Sequence, residues 1–590
     1  MASQLFKKFI VRLLATIGAI VLVTAVLALI SVLVVRKSIP SKVILEANFE
    51  KHLVEYVPND PLARIVVGQP MTVLGVVEAL ERASADKRVV GLIARVGEAG
   101  LSLAEIQEIR DAVIAFRKSG KTAIAYSETF GEDTKGNGSY YLATAFDKIY
   151  LQPSGDVGLA GLIFETPFLR GTLDKLGLVP RMDHRSEYKT AMNELTEKKY
   201  TPAHREEAEN IMDSAFGQIV KGIGEARKMS EADVRKLINR GPFLGGEALQ
   251  AKLVDKLAYR DEAYAEIKKK AGPHARFLYL SKYLDRAGSP YDEGTAVALI
   301  YGVGGVMRGK SGYDPVFQDV TMGADTMAAA FRAAVNDKSV KAILFRIDSP
   351  GGSYVASDTI WRETVRAKKA GKPIIVSMGG VAGSGGYFIA MNADKIVAQP
   401  ATFTGSIGVF GGKMLTTNFW DKLGISWDEV HSSSNAGVFT GLQDYTPEQW
   451  ARFETWLDRV YDDFTTKVSQ GRKLPKDLVL KIAKGRVWTG EDAKALGLVD
   501  ELGGFPEALK LVREAAGLSA DAKIELKEFP RRKSPLEELL HEEPDNSQQA
   551  GAEALARALQ VAQPFARVAR ELKLNAESDV LRMPDVDGEW

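Results

Sequence analysis

The sequence predicts an α/β protein with two tandem parallel-sheet halves behind an N-terminal transmembrane helix. Three observations predict it: an internal repeat, an alternation of short apolar strands with helices inside each copy, and one long uncharged apolar run near the N-terminus. Strands that alternate with helices specify βαβ-type layering around a parallel sheet.

The repeat is read directly. Residues 136–153 are GNGSYYLATAFDKIYLQP and residues 383–400 are GSGGYFIAMNADKIVAQP, so Gly136 maps onto Gly383, a shift of 247 residues. The shift persists from LDKLGL at Leu173–Leu178 to WDKLGI at Trp420–Ile425, becomes 251 upstream at Gly120-Lys121 against Gly371-Lys372, and 245 downstream at Leu253-Val254-Asp255 against Leu498-Val499-Asp500. In the central register Ser384 faces Asn137, and Lys189 faces Ala436. One copy holds a serine that the other lacks, and the other a lysine that the first lacks. This reciprocal loss suggests one active site divided between the halves.

The first copy opens with the apolar run Val43–Leu45 and continues with expected strands Arg88–Val96, Thr122–Tyr126 and Lys148–Leu151 and helices Ser102–Lys118 and Tyr140–Phe146. The second opens at Ala296–Val303 and continues with strands Val340–Ile347, Pro373–Met378 and Lys395–Ala398 and helices Tyr354–Ala370 and Tyr387–Asn392. The Gly379–Gly386 cluster reads as a turn.

Leu13–Val35 is an uncharged run of 23 residues closed by Arg36-Lys37. As a helix it is about 35 Å long, enough to cross the hydrocarbon core of a bilayer. A cleaved secretory signal would have a shorter apolar region and a small-residue cleavage site. The expected organisation is a cytoplasmic tail over 1–12, an anchor over 13–35, a first half over 43–290, a second half over 291–529, and a linker and helical tail over 530–590, with a helix at Ala552–Leu572 to which no chemistry is assigned.

Composition excludes several classes. The chain has 590 residues, too many for one compact core. A net charge of +1 gives no bulk attraction to nucleic acid. The absence of cysteine removes disulfides, thiol nucleophiles and thiolate metal sites, and the six scattered histidines show no zinc-ligand spacing. No metal or other cofactor is expected.

Ser384 stands in Gly383-Ser384-Gly385-Gly386, after a strand and at the start of a helix. Glycines there allow close approach of a substrate, and a helix N-terminus offers N–H groups to a developing oxyanion. The structural alternative is a plain N-cap, a role Asn137 also fits. Asp348-Ser349-Pro350-Gly351-Gly352 is a strand-end turn that could present a second N–H. Ser406, in Thr404-Gly405-Ser406-Ile407-Gly408, could hold a lysine in place or serve only its own turn. Lys189, in Ser186-Glu187-Tyr188-Lys189, acts as a base only if burial depresses its pKa; a solvated surface lysine is the alternative. The Ser186-x-x-Lys189 spacing lacks the Ser-Asp-Asn and Lys-Thr-Gly partners of penicillin-binding enzymes, and no Gly-x-Ser-x-Gly elbow occurs. A Ser-Lys dyad is the economical arrangement.

Through Asp348–Gly352, Ala382–Tyr387, Asn392–Pro400, Thr404–Gly411 and Gly485–Asp500, the chain resembles the signal peptide peptidase A (protease IV) family in its long double-domain bacterial form, from the anchor to about Gly504. The resemblance implies two ClpP/crotonase-like (ββα superhelix) domains. It implies Ser384 as nucleophile, Lys189 as general base, Ser406 orienting the lysine, and the Gly351 and Gly385 N–H groups as oxyanion hole. It further implies a homotetramer on the outer face of the bacterial inner membrane that degrades cleaved signal peptides. Two rival readings are a crotonase-like acyl-CoA enzyme, which uses the same N–H groups without a serine nucleophile, and an inactive membrane scaffold related to these proteases.

Overall fold

The structure is a computed structural model that describes residues 38–58, 70–132, 135–314, 319–531 and 581–583. The expected anchor Leu13–Val35 and the expected helix Ala552–Leu572 lie outside the described residues. Among those described, no helix is long and apolar enough to cross a membrane.

Val- and Ile-rich strands buried on both faces need helices on both sides, which is the condition for a parallel sheet. In the first half such a sheet runs in the order Lys256–Leu257, Lys148–Leu151, Thr122–Ser127, Val89–Val96, Val43–Phe49, Arg276–Tyr279, every neighbouring pair parallel. The second half repeats that order with Glu501–Leu502, Lys395–Ala398, Ile374–Gly383, Ala342–Ser349, Thr295–Val303 and Ile524–Phe529. It adds Phe403–Gly405 and Val487–Thr489 on the far part of the Ile374–Gly383 strand.

The repeat extends to single hydrogen bonds. Asp147 accepts from the Ala123 N–H and Asp394 from the Ile374 N–H, both at 2.8 Å. Asp255 accepts from Ile149 N–H and Asp500 from Ile396 N–H, again at 2.8 Å. The buried hydroxyl of Tyr140 donates to Leu253 O, and that of Tyr387 to Leu498 O. Two long helices, Pro202–Arg227 and Pro447–Arg472, each start with a threonine cap followed by proline and end at a left-handed lysine, Lys228 or Lys473. Proline suits the first turn because the N–H it lacks would have no intrahelical partner.

The Ile374–Gly383 strand is longer than the sequence suggests. The glycine cluster does not turn at Gly379; the strand shifts register between Ile347 and Ser349, carries on to pair Ala382 with Ser349, and delivers the chain to Ser384. Gly379 and Gly380 are needed for room rather than for a turn, since a Cβ on them would lie 3.1 Å from Asp348 Cβ and 2.8 Å from Ser102 Oγ respectively.

Many contacts join the halves, among them a strand pair and a buried charge cluster. The Val179–His184 strand of the first pairs antiparallel with Phe410–Leu415 of the second, from Val179 opposite Leu415 to His184 opposite Phe410. The fully buried guanidinium of Arg346 meets Glu55 in two parallel bonds, Glu108 at 2.8 Å, Ser377 Oγ at 2.8 Å and the face of Phe505. Glu55 and Glu108 come from the first half, so the charge cluster sits on the seam.

Candidate active site

The strand Ile374–Gly383 ends one residue before Ser384, and the helix Gly385–Ala390 begins one residue after it. Ser384 takes φ 52° and ψ −112°, a conformation L-residues rarely adopt. Its N–H donates to Gly405 O at 2.8 Å, which holds the sharp elbow. Ser406 also has positive φ, 48°, and its N–H donates to Arg486 O at 2.7 Å. Strained non-glycine residues cost about 1–3 kcal/mol each and cluster where function over-determines them.

Lys189 arrives from the other half. After the inter-half strand pair, Arg185 N–H donates to Val409 O at 2.9 Å and Tyr188 N–H to Lys484 O at 3.2 Å, so the chain stays bound to the second half up to the lysine. Two glycines make its channel. A Cβ on Gly485 would lie 2.6 Å from Lys189 Cβ, and one on Gly408 would lie 3.1 Å from Lys189 Cδ. The lysine is fully buried, as are Ser384 and Ser406. Its Nζ lies 2.9 Å from Ser384 Oγ, 2.9 Å from Ser406 Oγ and 3.2 Å from Ser406 O. Burial pushes its amine down to about 7, while the Glu207 carboxylate pulls the other way.

Glu207 was not singled out by the sequence. It lies on the Pro202–Arg227 helix, buried, and accepts from Val487 N–H at 2.7 Å and from Thr190 Oγ1 at 3.0 Å. It thereby ties the residue next to Lys189 to the Val487–Thr489 strand. Burial pushes its own carboxyl up to about 7. A single glutamate on a long helix carries no sequence mark of this task.

Gly351 and Gly385 are adjacent: a Cβ on Gly385 would lie 3.1 Å from Gly351 Cα and 3.0 Å from Gly352 N. Gly385 opens a helix, where an N–H has no intrahelical partner. The Gly351 N–H is directed onto Ser349 Oγ at 3.2 Å, and Ser349 Oγ in turn donates to Gly304 O. Asn137, at the place of Ser384 in the first copy, is buried and its amide both donates to Gly161 O and accepts from Gly161 N–H. Ala436, at the place of Lys189, is exposed.

Pocket and fold can now be set beside known proteins. The sequence pattern of peptidase family S49 matches residues 115–273 and 366–519, one span in each half. Protease 4 of Salmonella typhi is 33% identical over 76% of this chain and 73% of its own length. The chloroplastic serine protease SPPA of Arabidopsis thaliana is 29% identical over 78% of this chain and 68% of its own, and Protease 4 of Haemophilus influenzae is 30% identical over 78% and 75%. These define the class as a serine peptidase of α/β fold with two repeated domains. The chain belongs to peptidase family S49.

Proposed function

We propose that the chain is a membrane-anchored endopeptidase that cuts peptide bonds with a Ser384–Lys189 dyad and degrades cleaved signal peptides. The observation that carries this reading is the 2.9 Å separation of Lys189 Nζ and Ser384 Oγ inside a pocket closed to solvent. Neutral Lys189 takes the Ser384 proton while its own two N–H groups are held by Ser406 Oγ and Ser406 O. Ser384 Oγ attacks the peptide carbonyl, and Lys189, now an ammonium, gives its proton to the leaving amine. The tetrahedral oxyanion is met by the N–H groups of Gly385 and Gly351, the latter exchanging its long bond to Ser349 Oγ for the charged acceptor. Loss of one such donor costs about 2.7–4 kcal/mol of transition-state stabilisation. Water then attacks the acyl-enzyme, with Lys189 again as base.

The anchor Leu13–Val35 and the resemblance support the remainder of the reading: catalytic halves of ClpP/crotonase type on the outer face of the inner membrane, assembled as a homotetramer. An anchored site meets membrane-derived apolar peptides at high local concentration. A crotonase-type acyl-CoA reaction has no use for a buried lysine on a serine hydroxyl. The test is direct. Ser384→Ala and Lys189→Ala should each lower kcat/KM on an apolar fluorogenic peptide by at least about 10⁴-fold, with unchanged circular dichroism. A folded Lys189→Ala protein that still cleaves would end the dyad.

A further inference from the structure

The chain's own residues Leu581–Met583 lie against Gly351, Gly352 and Gly383, the residue before Ser384. Leu581 and Arg582 pair antiparallel with Gly352 and Gly351, the glycines of the expected oxyanion loop. Met583 N–H extends the ladder by donating to Pro350 O at 2.8 Å. The Met583 side chain is 4% exposed and is enclosed by Ile211 from the first half and Phe403 and Val487 from the second, with Phe164 and Val381 beside them. A Cβ on Gly383 would lie 2.5 Å from Met583 Sδ, and Gly383 is the residue before Ser384.

These contacts are those of a peptide held by strand addition: main-chain bonds to a sheet edge give affinity, and one side chain in a pocket gives selectivity. The pocket is apolar, built from both halves and set next to the reactive hydroxyl. Its occupant is unbranched and flexible, the type of side chain that fills an irregular gap. The ladder also needs an N–H at the position of Met583, which proline cannot supply.

We propose that Leu581–Met583 is an intramolecular ligand of the substrate groove, and that peptide substrates enter by displacing it. This rests on the reading of Ser384 as nucleophile. It also names the preferred substrate: an extended chain with an unbranched apolar residue, not proline, in the pocket beside Gly383. A tethered ligand keeps an effective concentration that does not fall on enzyme dilution, so it competes as a constant.

Two full-length variants test this. Met583→Asp places a charge in the apolar pocket; Met583→Pro keeps an apolar side chain and removes the ladder donor. Each should lower KM for an apolar peptide by about tenfold or more, with kcat unchanged and no dependence on enzyme concentration. A fluorescein-labelled peptide of residues 578–586 should bind the Ser384→Ala/Met583→Asp double variant by anisotropy and be displaced by substrate. Peptidase activity with the same KM in wild type and both variants, or failure of the labelled peptide to bind, overturns the assignment while leaving the dyad intact. Saturable binding of the peptide by a protein that cleaves nothing would instead keep the ligand and remove the peptidase reading.

Discussion

A primary amine has one lone pair, and offers it only when neutral. With three polar atoms of Ser384 and Ser406 within 3.2 Å, the neutral form of Lys189 has two donors and one acceptor to place, which matches Ser406 O, Ser406 Oγ and the Ser384 hydroxyl. The ammonium has three donors and nothing to receive the serine proton. Burial brings the transition between these forms to about 7. With Lys189 as the proposed base, protonation blocks it below that pH and deprotonation frees it above. The kcat/KM profile should therefore rise through an apparent pKa near that value and then level off. A rate still climbing beyond about pH 10, the range of free lysine, would contradict a desolvated base. Asn137 gives the contrast. Its amide is committed to Gly161, so Asn137→Ala should cost about 1–3 kcal/mol in urea denaturation by leaving buried groups unpaired, yet keep kcat of the folded enzyme within a few fold. A selective loss of kcat would assign Asn137 a part in the chemistry.

Among the elements, the antiparallel pair of Val179–His184 with Phe410–Leu415 decides where the lysine goes. Neither strand is marked by the repeat as an inter-half contact, and pairing partners between distant strands are not written in either segment. Helix signals were plainer. Ser102 with Glu105 forms a complete capping box, and Ser353 caps the Tyr354–Lys369 helix, at the starts the sequence suggests. The strand ending at Gly383 misleads, because glycines that make space look like glycines that make turns. Gly485 is the clearest case of space: φ is +79°, and a Cβ there would lie 2.6 Å from Lys189 N. Gly485→Ala is expected to displace the lysine and lower kcat by about 10²-fold, the penalty of a misplacement near 1 Å, with the apparent pKa of the profile also moved. Wild-type kcat in that variant would remove the channel from the account.

At the scale of the whole molecule, Arg346 and its two carboxylates bridge the two halves. Burial pushes the Glu55 carboxyl up, against the pull of the guanidinium. Such a cluster does not by itself imply a large net stabilisation, but removing one partner strands charge in the interior. Arg346→Leu should thus cost about 3–5 kcal/mol in reversible denaturation. A loss below about 1 kcal/mol would mean that the seam is held by apolar packing instead. The shared core supports a strong seam in any case: Val297, Leu344, Phe505 and Leu509 of the second half pack in one cluster with Leu103, Ile109 and Val113 of the first.

The sequence by itself determined the duplication, the central strands of each half with two of its helices, and the exchange of serine for asparagine between copies, because periodicity, caps and turn residues act over a few neighbours; it left the edge strands and the two long helices unmarked. It also marked Ser384, Ser406 and Lys189 as the residues to compare. Only the tertiary structure decided that Lys189 lies buried against a serine 195 residues away, that Glu207 braces it, and that Leu581–Met583 fills the adjoining groove. The reason is physical: the pKa of an amine and the occupancy of a pocket depend on how completely distant parts of the chain exclude water, and no local stretch of sequence encodes that.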